Sequence, residues 1–203
     1  MDSDTLWAHT DRERASLCDL LTGLTPEQWS TPSLCRGWTV RDVAAHLSMA
    51  QLTLPQAMGP LLRAGLRFNT MIRDSAKRNP LTHDQIVARI RSFEGTRKRA
   101  PFISEKEPLL DILVHTQDIC VPLGVDRRVP SDAAVVALER ILELNHTRVR
   151  LRRPLDGVRL VATDADWATG QGPVVEGELR WLLLLAAGRE VARDHLAGAL
   201  EAV

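Results

Sequence analysis

The sequence predicts a mainly α protein: a four-helix bundle over residues 1–124, followed by a small α/β domain over residues 125–203. Three observations predict it. Capping boxes at Thr39/Asp42 and Ser104/Glu107 open apolar-periodic segments, and a third at Thr25/Gln28 opens a short turn between helices. Pro122 and Gly124 stop the last of these segments. Beyond Gly124 the texture changes, and residues 158–163 (Val-Arg-Leu-Val-Ala-Thr) alternate as a strand does.

The first helix is expected over residues 3–24, with Leu17, Leu20, Leu21 and Leu24 as its apolar side and His9 exposed. Thr25 with Pro26 opens a short turn ending near Trp29, and residues 30–37 read as loop. Thr39 starts the second long helix, with Trp38 and Val43 placed as a hydrophobic staple, running through His46 to about residue 51 or 54. Residues 56–80, punctuated by Gly59-Pro60, Gly65 and Asn79-Pro80, read as partial helix and mobile loop, a candidate lid. Thr82 caps a third helix to about Arg99, with Ile86, Val87, Ile90 and Phe93 at core spacing. The fourth spans residues 104–121. In the second domain Ser131-Asp132 opens a helix to about Arg148, with Arg148, Arg150, Arg152 and Arg153 at its end. A turn over residues 164–172, a partner strand at Val174-Val175, an apolar helix over 178–188 and a last amphipathic helix complete the chain.

Charge narrows the function classes. Lys+Arg and Asp+Glu balance at 26 each, so the chain carries no overall field for nucleic acid or an acidic membrane. The longest apolar run, residues 181–187, is far short of a membrane span, and no leader-like segment is seen. Three cysteines (Cys18, Cys35, Cys120) without metal-type pairing suit a reducing cytosol, so a cytoplasmic protein is expected. The sequence leaves a homodimer open.

The chemistry concentrates on the fourth helix. Asp111, His115 and Asp118 are spaced i, i+4, i+7 and fall in one stripe, with Ile112 and Ile119 on one flank and Leu110, Val114 and Val121 on the other. A carboxylate and an imidazole one turn apart can chelate one cation, and His46 on a facing helix can supply a third ligand. Three protein ligands leave a further position open, the catalytic pattern. Asp42 and Asp118 are candidate outer acceptors that fix the imidazole tautomers. Spacing alone does not decide the matter, because an Asp-x-x-x-His pair also serves simply to stabilise a protonated imidazole. Cys35 reads as a half-buried structural thiol. Trp167 and Trp181 read as core, and His83, His146 and His195 as exposed.

Residues 24–29 (Leu-Thr-Pro-Glu-Gln-Trp), 32–35 (Pro-Ser-Leu-Cys) and 37–47 (Gly-Trp-Thr-Val-Arg-Asp-Val-Ala-Ala-His-Leu) resemble the N-terminal signature of the mycothiol-dependent maleylpyruvate isomerase family, within the DinB-like metal-binding four-helix superfamily. Residues 111–124 are similar to the family's second metal helix. Residues 160–167, 170–173 and 182–189 are similar to its C-terminal domain, so the likeness covers most of the chain. The resemblance implies a divalent metal, zinc first, held by His46, Asp111 and His115, with Asp111 of shorter reach than the Glu or His often found there. It implies mycothiol as a low-molecular-weight thiol cofactor, a small electrophilic substrate, and isomerase or S-transferase activity with a metal-bound thiolate as nucleophile. Arg189 is the first candidate to bind an anionic group of substrate or thiol; a cation closing a helix is its plainer reading. The competing class is a non-catalytic metal-binding or ligand-binding DinB-like protein.

Overall fold

The computed structural model describes residues 1–65, 67–99, 103–146, 155 and 157–203. The chain divides into two compact units, Asp2–Val125 and Asp126–Val203, the latter with Met1.

The first unit is a helical bundle. Its elements are α1 (Ser3–Thr22), α2 (Pro26–Trp29), α3 (Val40–Leu47), α4 (Leu54–Arg63), α5 (Phe68–Lys77), α6 (His83–Arg91) and α7 (Lys106–Cys120). Helices α1 and α3 each pack against both α6 and α7, so these four enclose one core. Leu17, Leu21, Val43, Ala44, Ile86, Ile90, Leu109, Leu113 and Ile119 are buried there. Truncating one such leucine to Ala costs about 2–5 kcal/mol.

Side-chain caps set the helix starts. Asp2 accepts from Thr5 N ahead of α1, Thr25 and Gln28 close a box at α2, and Thr82 and Gln85 do the same at α6. The Ser104/Glu107 box does not form: Ser104 Oγ accepts from Lys106 N instead, and α7 begins one residue later than that box requires. Residues 56–80 are more regular than their Gly and Pro content suggests. Gln56 Oε1 accepts from Thr53 N, Pro55 sits in the first turn of α4 where no N–H is needed, and the helix carries Pro60 internally. Helix α5 then packs on α3 and α4, so this connection is two helices and not a loose lid. Helix α3 is shorter than expected: Ser48 Oγ donates back to Ala45 O, and the chain continues in turns. Helix α6 stops at Arg91, ahead of Gly95 in the left-handed region (φ 72°). His9 is not exposed; α1 buries residues on several faces, His9 among them.

The second unit contains α8 (Ser131–His146), β1 (Arg159–Ala162), β2 (Ala168–Gly170), β3 (Val174–Gly177), α9 (Leu179–Ala186) and β4 (Ala197–Gly198). The expected arginines 148, 150, 152 and 153 lie outside the described residues. The sheet runs β2-β1-β3-β4, with β1 and β3 parallel and both outer pairs antiparallel. Val158, Leu160 and Ala162 turn inward, as their alternation requires, and α8 and α9 pack together. The expected turn over 164–172 contains β2. The expected last helix is instead a 3₁₀ segment (Glu190–His195), β4 and a second 3₁₀ turn (Leu200–Ala202). Gly198 explains that break. Its φ is 96°, and a Cβ there would lie 2.1 Å from Val174 O, so only glycine lets β4 close on β3. Trp181 is buried and stacks on His195 at 3.7 Å, while His83 stacks on Trp29 at 4.2 Å. Among the described residues no helix is long and apolar enough to cross a membrane.

Candidate metal centre

Two helices and one loop of the first unit build the site. Helix α3 is launched by a reciprocal cap: Thr39 Oγ1 accepts from Asp42 N at 3.2 Å, and Asp42 Oδ2 accepts from Thr39 N at 3.1 Å. Asp42 is therefore engaged at the cap. Two turns on, His46 closes α3, its ring edge-on to Trp38 at 5.7 Å. From α7 come Asp111 and His115, and the two imidazoles meet in a T-shaped arrangement at 4.8 Å.

These three side chains converge. His46 Nε2 and His115 Nε2 each lie 3.4 Å from the same atom, Asp111 Oδ1, and all three ligand atoms fall within 4.8 Å of one another. A well-made N–H···O bond is shorter, mostly 2.7–3.2 Å. Two ligands about 2.1 Å from one ion at a tetrahedral angle stand about 3.4 Å apart, so the spacing fits a cation better than a direct contact. The donor set, two imidazoles and one carboxylate, is that of a catalytic zinc site with an open position. Accessibility agrees: the Asp111 side chain keeps 35% of its surface, against 18% for His46 and 15% for His115.

The opposite edge of His115 is tied down. Its Nδ1 is 2.8 Å from Oδ2 of Asp118, whose side chain is fully buried. With the ring hydrogen on Nδ1, the lone pair of Nε2 faces Asp111 and His46, the tautomer a metal ligand needs. Cys35 donates to the same Asp118 oxygen at 3.0 Å, and its Sγ lies 3.7 Å from His115 Nδ1. Backbone bonds hold Cys35 in place: Leu34 N donates to Asp118 O, and Trp38 N to Cys35 O across a turn whose Gly37 has φ 76°.

Electrostatics follow from this packing. Burial pushes the Asp111 carboxyl up, but the charges and hydrogen bonds of His46 and His115 outweigh it and hold the group far below the usual carboxylate range. Burial pushes His115 down, yet Asp111, Asp118 and Cys35 together raise it well above an ordinary imidazole. Without a cation, a proton takes the cation's role.

Of the expected residues, the structure brings together His46, Asp111, His115 and Asp118 and leaves Asp42 at its cap. Arg189 belongs to the second unit, where its guanidinium donates to Ala187 O at 2.5 Å, just past the end of α9. Cys35 and Trp38 are the contributors that sequence reasoning passed over. Cys35 is 80 residues from its imidazole neighbour, and no local pattern announces that contact.

No curated protein matches the chain. Two solved structures share its fold. The crystal structure of the mycothiol-dependent maleylpyruvate isomerase superposes with a TM-score of 0.58 at 16% identity, and that of its histidine-to-alanine mutant with 0.61 at 15%. Each alignment covers 98% of this chain and 93% of that chain. Residues 10–102 match the mycothiol maleylpyruvate isomerase N-terminal domain, a span that includes His46, Cys35 and Trp38. The likeness to the mycothiol maleylpyruvate isomerases thus runs through sequence over residues 10–102 and through fold over nearly the whole chain.

Proposed function

We propose that the chain is a metal-dependent, thiol-using isomerase or S-transferase acting on a small electrophile, with mycothiol as the thiol. The observation that carries this reading is the convergence of His46 Nε2 and His115 Nε2 on Asp111 Oδ1, in a chain whose residues 10–102 match this family's N-terminal domain. A divalent cation held by these three residues, zinc by donor chemistry, lowers the pKa of a thiol and stabilises negative charge developing on a substrate.

The chain's own residues make that chemistry available. Asp118 keeps the proton on Nδ1 of His115 and so keeps Nε2 free to ligate. Trp38 packs against the His46 ring and restricts its rotation. Asp111 supplies the one negative charge among the ligands and is accessible enough for a small molecule to reach the open position. The reaction class is reversible addition of a thiol across a cis double bond conjugated to a carbonyl. Sulfur bonds to one carbon and the thiol proton goes to its neighbour. Rotation about the resulting single bond, then elimination, returns the thiol and leaves the trans alkene. Without elimination the product is a thioether conjugate.

The test is turnover of a cis-alkene keto acid by zinc-loaded protein with and without mycothiol, in wild type and His46→Ala. Thiol-dependent turnover that His46→Ala abolishes supports the enzyme. Zinc binding without any thiol-dependent turnover points to a binding protein.

A further inference from the structure

We infer that Cys35, His115 and Asp118 form a second cation site, on the opposite edge of the His115 ring, open to thiophilic ions such as Cd2+. Cys35 Sγ, His115 Nδ1 and Asp118 Oδ2 all lie within 4.8 Å of one another, in a group distinct from the His46 cluster except for the shared ring. Zinc-length bonds, about 2.3 Å to sulfur and about 2.1 Å to nitrogen, space those two atoms about 3.6 Å apart at a tetrahedral angle, and a larger ion such as Cd2+ spaces them slightly wider. Sγ and Nδ1 are 3.7 Å apart. The carboxylate oxygen is closer, at 3.0 Å from Sγ and 2.8 Å from Nδ1, because it accepts hydrogen bonds from both. A cation takes the place of those two protons, which leave to solvent, and the carboxylate draws back by about half an ångström to the ligand spacing of a metal site. A thiolate donor favours soft ions, so Cd2+ gains more from this set than from two imidazoles and a carboxylate. The other cysteines are buried elsewhere, and burial pushes the Cys18 thiol up to about 11.

The shared ring couples the sites. A neutral imidazole offers one lone pair. An ion on Nδ1 leaves the ring proton on Nε2, directed at Asp111 Oδ1, and removes His115 from the first ligand set. A thiophilic ion therefore excludes zinc. That exclusion, unlike the second site itself, rests on the first site holding a metal.

The experiment is titration of the metal-free full chain with Cd2+, read by the ultraviolet thiolate-to-cadmium charge-transfer band. The band should rise to saturation at one ion per chain in wild type, persist in His46→Ala, and vanish in Cys35→Ser and in Cys35→Ala. Alkylating Cys35 in the wild-type protein should also remove it, which covers the case of a variant that does not fold. In zinc-loaded protein the band should grow only as zinc is released. Absence of the band in wild type, its survival in Cys35→Ser, or its loss in His46→Ala would each overturn the inference. Cadmium bound without the band and lost in His46→Ala would place the ion among the first ligands, leaving the proposed function intact while this inference falls.

Discussion

His115 donates from Nδ1 to Oδ2 of Asp118 at 2.8 Å, and that single bond decides which nitrogen of the ring faces His46 and Asp111. Partners of this kind typically change metal affinity about 10–100-fold when removed. Asp118→Ala is therefore expected to weaken zinc binding by about that factor, measured by competition with a chromophoric chelator. Because Asp118 is wholly buried, its loss also destabilises the fold; comparing metal-free thermal unfolding with zinc affinity separates the two effects. Unchanged affinity would show that the ring needs no such guide.

Asp111 is a ligand in this account and not a guide, so its removal should cost more than that of Asp118. Asp111→Ala should lose stoichiometric zinc. Asp111→Glu, one methylene longer, should retain it, since the oxygen is now 3.4 Å from both imidazole nitrogens and the side chain is one-third exposed, with room to adjust. Equal zinc content in wild type and Asp111→Ala would reassign the carboxylate role to Asp118.

The cluster also sets a pH dependence. The raised His115 contributes stability to the metal-free protein that is fully present below the unfolded imidazole value of about 6.5 and is lost as pH rises through the higher folded value. The depressed Asp111 contributes stability present above about pH 3.9 and lost as pH falls through its lowered folded value. Metal-free wild type should lose thermal stability from about pH 6.5 upward relative to His115→Gln. Zinc must displace the His115 proton, so affinity should rise by about tenfold per pH unit wherever that proton is still bound. A flat affinity profile across that range would mean His115 is not a ligand.

Asp42 provides a contrast on the same helix. Its carboxylate accepts from Thr39 N, so Asp42→Ala should lower stability by about 1 kcal/mol, the usual cost of a lost cap, and leave zinc affinity unchanged. A large loss of affinity at unchanged stability would assign Asp42 to the His46 imidazole after all.

Much of the bundle and most of the cluster were legible because they are written locally. The cap at Thr39, the i, i+4 spacing of Asp111 and His115, and the aliphatic flanks of α7 are all within a few residues of one another. His46 was legible through its place on an amphipathic helix. What escaped was non-local or depended on context. Cys35 meets Asp118 across 83 residues. Gly59-Pro60 read as a break, although packing of α4 and α5 sustains helix through it. The chain end was misread because β4 exists only where Gly198 admits the backbone of Val174. Asp42 was given an outer role when its spacing to Thr39 already specified a cap, a case of one residue satisfying two patterns.

The most direct test of the account is calorimetric titration of the metal-free chain with zinc, wild type beside His46→Ala. The ligand set draws His46 from α3 and Asp111 with His115 from α7, so only a site spanning both helices needs all three. One zinc per chain is expected in wild type, with loss of that binding in His46→Ala and both proteins equally folded. Zinc binding of undiminished affinity in His46→Ala would contradict it.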